Sequence, residues 1–179
     1  GCGGGIVAEP LARMGAAVTG VDAGEENIRA ARAHAEASGL SIDYQVITAE
    51  ALADSGAQFD IVTTLEVVEH VADVDLFLTS CASLVKPGGM LVLSTLNRTA
   101  KSFVLGIGMA EYVLRWLPAG THDWRKFLKP SEVAAPLMNM GLEVTDITGL
   151  VYDPLRLKFK LSDSDLDVNY LMVAVKDAA

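Results

Sequence analysis

The sequence predicts an α/β fold, with a mostly parallel central sheet and helices on both faces. Three observations predict it. Apolar stretches of strand length alternate with segments of helical period along the chain. A glycine turn, Gly1-Cys2-Gly3-Gly4-Gly5, stands directly before a helical segment. Phe59 to Leu65 reads as an apolar strand, interrupted by Asp60 and two threonines, of the kind found in a sheet interior.

In order, Ile6 to Met14 reads as a helix stopped by Gly15. Ala17 to Val21 is a short strand ending at Asp22, and Glu25 to Ser38 is a helix with Gly39 past its end. Asp43 to Thr48 and Phe59 to Leu65 are strands. Val74 to Val85 is a helix, closed by the turn signal Lys86-Pro87-Gly88-Gly89, and Met90 to Thr95 is the next strand. Residues 100–117 read as helical and 118–130 as irregular. Ser131 to Met140 is a helix that Ser131 can cap, and Leu142 to Thr148 and Asn169 to Lys176 are closing strands. A glycine turn of this kind normally follows a buried strand. The expectation is therefore one domain over residues 1–179 whose first strand is missing from this chain.

Composition bounds the function. Hydrophobic residues make up 51% and charged residues 21%, as in an ordinary globular domain, and no apolar run reaches membrane-spanning length. Cys2 and Cys81 form neither a disulfide framework nor a zinc spacing, which fits a reducing, cytoplasmic location. The net charge of −9 disfavours nucleic acid as a partner. Charge is uneven: residues 97–127 hold 5 Lys/Arg against 2 Asp/Glu, in a chain whose first 96 residues hold 4 against 13.

The glycine turn points to a nucleoside-bearing ligand. Gly1, Gly3 and Gly5 permit positive φ and close approach of the backbone to a ligand. Asp22, at the end of the next strand, is placed to accept hydrogen bonds from ribose hydroxyls. The spacing G-x-G-x-G, with Ile6 after it, departs from the dinucleotide pattern G-x-G-x-x-G.

After the fourth strand of the pattern comes E-x-x-E-H: Glu66, Glu69 and His70. On a helical turn these three share one face. Two carboxylates and an imidazole there can hold a divalent cation or supply a general base, with Glu69 and His70 the catalytic candidates. The alternative is a helix start with favourable carboxylates. His34 reads as a surface residue, and His122 as a loop residue satisfied by Asp123 or bordering the substrate.

The glycine turn with Val21-Asp22, Phe59-Asp60-Ile61-Val62 and Leu84-Val85-Lys86-Pro87-Gly88-Gly89 resembles the Rossmann-like class I S-adenosylmethionine-dependent methyltransferases. Ser94-Thr95-Leu96-Asn97-Arg98, Gly120-Thr121-His122-Asp123, Lys126-Phe127, Lys129-Pro130 and Asp167-Val168-Asn169-Tyr170 narrow the resemblance to the ubiquinone-biosynthesis O-methyltransferases, over essentially the whole chain. The resemblance implies S-adenosylmethionine as cofactor, held by Gly1, Gly3, Gly5, Asp22 and Leu65, with an adenine contact near Ala49-Glu50-Ala51. It implies a magnesium-type ion on Glu66, Glu69 and His70, and methylation of catechol hydroxyls on polyprenylated rings. It also implies membership of a ubiquinone-biosynthesis complex.

Residues 97–127 read as an inserted lid or membrane-contact segment. Apolar positions from Phe103 to Leu117 are flanked by Arg98, Lys101, Arg115, Arg125 and Lys126, a pattern that can lie in the headgroup layer of an anionic membrane, on its inner face. Ordinary core packing of a lid is the competing expectation. Three other readings compete for the whole chain: another small-molecule methyltransferase, an RNA 2′-O-methyltransferase, or a non-catalytic scaffold of the same fold. RNA enzymes with E-x-x-E-H carry a further histidine soon after it, and Val71 to Asp75 has none.

Overall fold

A computed structural model describes residues 1–104, 123–153 and 156–178. The chain divides into two compact units, Gly1–Ala57 and Gln58–Ala179.

In the first unit the glycine turn leads into α1 (Ala8–Arg13), β1 (Thr19–Asp22), α2 (Glu25–Ala37), β2 (Asp43–Val46) and α3 (Ala49–Asp54). β1 and β2 pair in parallel, Thr19 opposite Asp43 and Asp22 opposite Val46. Ile28, Ala31 and Ala35 fall at helical spacing on one face of α2 and pack with Ala8 and Tyr44 into a small core. Glu25 and Glu26 favour the first turn of α2, and Gly39, at φ +66°, takes the left-handed position past its end. Helix α3 was not expected. Its six residues are too short for a periodic signal, and Thr48 starts it by accepting a hydrogen bond from the Ala51 N–H at 3.2 Å.

The second unit contains β3 (Phe59–Leu65), a 3₁₀ turn at Val68–His70, α4 (Val74–Ser83), β4 (Val85–Leu96), a short α5 (Ala100–Ser102) and a 3₁₀ turn at Trp124–Lys126. It continues with α6 (Pro130–Asn139), β5 (Leu142–Asp153), β6 (Lys158–Ser162) and β7 (Asn169–Lys176). The sheet order is β3-β4-β7-β5-β6. Only β3 and β4 are parallel in it; β7, β5 and β6 join antiparallel. The α/β class holds, while the expected mostly parallel sheet is corrected to a mixed one. The reason lies in the connections. Strands β5 and β6 are joined without a crossover helix, and so is the return to β7, so the chain must reverse.

Two local signals resolve differently from their sequence reading. Lys86-Pro87-Gly88-Gly89 is not a turn before the strand but an excursion inside the ladder: Phe59 pairs with Val85, and Ile61 already pairs with Met90. Gly89 must be glycine there, because a Cβ would lie 2.7 Å from the Asp60 carbonyl oxygen. Helix α6 begins at Pro130 rather than at a Ser131 cap. Glu132 reaches back to accept from the Lys129 N–H at 2.8 Å. The core of this unit holds Leu78, Leu91, Leu93, Val133, Leu137, Leu142, Tyr170 and Met172, all essentially inaccessible.

Candidate active site

The glycine turn is tied to the end of β1. The N–H groups of Gly1 and Cys2 both donate to the Val21 carbonyl at 2.8 Å. Asp22 completes the closure: one carboxylate oxygen accepts from the Gly3 N–H at 2.9 Å, the other from the Gly24 N–H at 2.8 Å and from Asn27 Nδ2 at 3.1 Å. Burial pushes the Asp22 carboxyl up, but the hydrogen bonds from Asn27, Gly24 and Gly3 outweigh it and hold the carboxyl below its ordinary value. Three of the roughly four lone-pair positions of a carboxylate are thus occupied by the protein itself. Sequence reasoning gave Asp22 a ribose; the structure gives it first the job of fixing the turn, with one acceptor position left for a ligand hydroxyl.

The glycines divide by role. Gly3 lies at φ +52°, and a Cβ on Gly3 or Gly4 would meet nothing within 4 Å. That open side lets a ligand approach the backbone. Gly5, at φ +84°, is glycine for an internal reason as well, since a Cβ there would run into the Tyr44 hydroxyl. Tyr44 also explains Gly20, where a Cβ would stand 2.6 Å from two ring carbons. Ala49-Glu50-Ala51, the expected adenine region, is the first turn of α3. The open side at Gly3 and Gly4 and the spare acceptor of Asp22 suit an adenosine-bearing ligand such as S-adenosylmethionine.

In the second unit, Leu65 ends β3 half-buried, paired with Ser94 of β4. Glu66 follows with φ +55°, a left-handed conformation that non-glycine residues seldom adopt. Its N–H donates to the Ser94 carbonyl at 3.0 Å. Its Oε1 accepts from the Ser94 hydroxyl at 2.5 Å and from Asn169 Nδ2 at 2.9 Å. Glu69 lies in the 3₁₀ turn, is 3% exposed, and accepts from the Thr95 hydroxyl at 2.8 Å. His70 is half-exposed, with Nε2 3.9 Å from Glu69 Oε1.

The expected shared helical face of Glu66, Glu69 and His70 is therefore corrected. Glu66 precedes the turn in a left-handed residue, and the turn itself is 3₁₀, so the spacing of three and four no longer aligns the side chains. Among the described residues, no group of three His, Cys, Asp or Glu side chains stands where it could hold a metal ion. The cluster as arranged does not fit a three-ligand cation site. Sequence reasoning missed Ser94, Thr95 and Asn169, the groups that orient the two carboxylates. All three lie in the motifs that carried the resemblance, where spacing alone assigned them no role.

Tyr170 is fully buried and donates to the Leu128 carbonyl at 3.1 Å. Burial first, then the carboxylates of Glu132, Glu69 and Glu66, push its hydroxyl well above the ordinary tyrosine value, so it stays a neutral donor. His34 is exposed and pairs with Glu9 at 3.1 Å. His122 lies outside the described residues, as does most of the 97–127 segment. Of that segment's described part, Arg98 pairs with Glu132, and Lys101 with Asp165 at 2.8 Å and Asp167 at 3.4 Å. Trp124 Nε1 donates to the Thr99 carbonyl at 2.8 Å, and its ring meets Phe103 edge-on at 6.2 Å. No helix among the described residues is long and apolar enough to cross a membrane.

Comparison with known proteins places this architecture. A methyltransferase-domain family model matches residues 1–93, which takes in the glycine turn, Asp22 and the E-x-x-E-H segment. Solved structures agree on the fold. A SAM-dependent methyltransferase from Methanosarcina mazei superposes with a TM-score of 0.72 at 19% identity, covering 100% of this chain and 91% of that one. Magnesium protoporphyrin IX methyltransferase from Synechocystis PCC 6803, with bound SAH, gives 0.68 at 20% identity over 99% of this chain and 73% of that one. Fold and glycine turn together define a class I methyltransferase. Ubiquinone biosynthesis O-methyltransferase of Dinoroseobacter shibae is 57% identical over 99% of this chain and 72% of its own length. The protein of that name from Rhizobium leguminosarum bv. trifolii is 54% identical over 99% and 70%. The chain belongs to the ubiquinone biosynthesis O-methyltransferase family.

Proposed function

We propose that this protein transfers the methyl group of S-adenosylmethionine to a phenolic hydroxyl of a polyprenylated catechol in ubiquinone biosynthesis. The observation that supports it most is the glycine turn closed by Asp22, open to a ligand at Gly3 and Gly4. The cofactor residues in this reading are Gly1, Gly3, Gly5, Asp22 and Leu65. The bound cofactor supplies a methyl group on a positively charged sulfur. The substrate oxygen forms the new C–O bond in line with the breaking C–S bond, and the bonding pair leaves on sulfur as a neutral thioether. No acid is needed for that departure. The hydroxyl proton passes to a base, for which His70 beside Glu69 is the candidate of this chain, and alignment of oxygen and methyl supplies much of the rate.

In this reading Glu66, held by Ser94 and Asn169, and Glu69 with His70 line the hydroxyl side of the reaction and orient the acceptor. A magnesium-type ion, which the family resemblance implies, is not accommodated by these three side chains as they stand, and no step is assigned to it. Titration of the full-length protein with S-adenosylmethionine by calorimetry tests the cofactor half. Saturable binding that weakens on substitution of Asp22 supports it; absence of binding rejects it.

A peripheral membrane contact through residues 97–127, on the inner face, is a second proposal. Phe103 and Val104 are 54% and 58% exposed beside the charged Lys101. A polyprenyl substrate partitions into lipid, and apolar side chains with basic neighbours suit a headgroup layer.

A further inference from the structure

Glu66, between β3 and the 3₁₀ turn, is one of two non-glycine residues at positive φ among the described residues; the other is Leu157. Such a conformation is strained and persists only where surrounding structure enforces it. The enforcement comes from two neighbouring strands. Ser94, paired with Leu65 across the parallel ladder, takes the Glu66 N–H and donates its hydroxyl to Oε1. Asn169, the first residue of β7 and the partner of Leu96, donates Nδ2 to the same oxygen.

Asn169 is itself fixed. Asn97, just past the end of β4, donates its backbone N–H to the Val168 carbonyl at 2.9 Å and its side chain to the Leu166 carbonyl at 2.9 Å. These bonds seat the residues leading into Asn169. The other amide atom, Oδ1, is buried and has no hydrogen-bond partner among the described residues. A buried acceptor left unmade is costly, so this amide is oriented by its bond to Glu66 rather than by its own satisfaction.

We propose that Asn169, with Ser94, is a positioning residue for catalysis: it locks one oxygen of Glu66 so that the other is presented in a single orientation to the substrate hydroxyl. The inference rests on the reading that Glu66 faces the substrate. Charge-assisted hydrogen bonds of this kind are directional and stronger than neutral ones, and two on one oxygen leave the carboxylate little rotational freedom.

The test is a double-mutant cycle on the full-length enzyme with Glu66→Gln, Asn169→Ala and the double variant, following kcat, KM for each substrate and cofactor affinity. The expected result is a kcat loss of roughly 10- to 100-fold for Asn169→Ala with cofactor affinity unchanged. In the Glu66→Gln background the same substitution should cost less than about threefold, because the group it positions has gone. Equal losses in both backgrounds would overturn the inference while leaving Glu66 in the site. Wild-type turnover by Glu66→Gln would reject the reading of Glu66 and the inference together. Asn169→Asp keeps the shape but removes the donor, so it guards against misfolding of the alanine variant. A folded Asn169→Asp enzyme with wild-type kcat also overturns the proposal.

Discussion

The Asp22 carboxylate receives the backbone N–H of Gly3 at 2.9 Å, across 19 residues of sequence. One side chain thereby sets the shape of the glycine turn and ends the strand beside it. Removing it should do two things at once: loosen the turn and remove an acceptor from the ligand. Asp22→Ala is expected to weaken S-adenosylmethionine binding by roughly 1–3 kcal/mol, read by calorimetric titration. Unchanged affinity would remove Asp22 from the site.

The same residue predicts a pH dependence. Its folded carboxyl is held below the ordinary value of about 3.9, so the folded state favours the ionised form. Its contribution to stability is complete above that ordinary value and is lost as pH falls through the lower folded value. Wild-type protein should therefore lose stability on acidification more steeply than Asp22→Asn below about pH 4. Parallel denaturation midpoints of the two proteins across that range would contradict the assignment.

Gly20→Ala tests the packing beneath the turn. The new methyl would stand 2.6 Å from two Tyr44 ring carbons in a fully packed core. A loss of about 1–3 kcal/mol in urea unfolding is expected. Combining it with Tyr44→Val should recover part of that loss relative to Tyr44→Val alone.

Glu69 and His70 should affect chemistry more than binding. Glu69→Gln and His70→Ala are expected to lower kcat while leaving the dissociation constant for S-adenosylmethionine close to wild type. Thr95→Val removes a donor from the buried Glu69 carboxylate and should destabilise the fold by about 1–3 kcal/mol in the same assay. Normal turnover by both site variants would leave the 3₁₀ turn a structural element only.

Membrane contact predicts co-sedimentation with anionic vesicles, weakened by salt. Replacing Phe103, Leu105 and Trp116 by Ser should abolish it in a protein that still folds. Equal partitioning of both proteins would count against the contact.

Much of this was legible in the sequence, and the failures have physical reasons. Helix α2 was readable because Ile28, Ala31 and Ala35 repeat at helical spacing between an acidic start and Gly39. Strand β7 was readable because Tyr170 to Val175 is an unbroken apolar run of strand length between Asn169 and Lys176. Strand β6 was not, because the alternation of Phe159 and Leu161 with lysines covers only five residues, and on an edge it leaves both largely exposed. The E-x-x-E-H spacing identified the residues but not their arrangement. A left-handed Glu66 is invisible to helical periodicity, and Ser94 and Asn169 reach it through strand pairing across 28 and 103 residues.

Methyl transfer itself is read directly by one measurement. Full-length protein is incubated with S-adenosylmethionine labelled on the methyl group and a polyprenylated catechol, and the organic product is analysed by mass spectrometry. One labelled methyl on a ring oxygen is expected, formed with turnover, at a rate that falls in the Asp22→Ala variant when the cofactor is below saturation. Cofactor binding at full affinity with no label on any catechol or phenol, prenylated or not, would contradict methyl transfer.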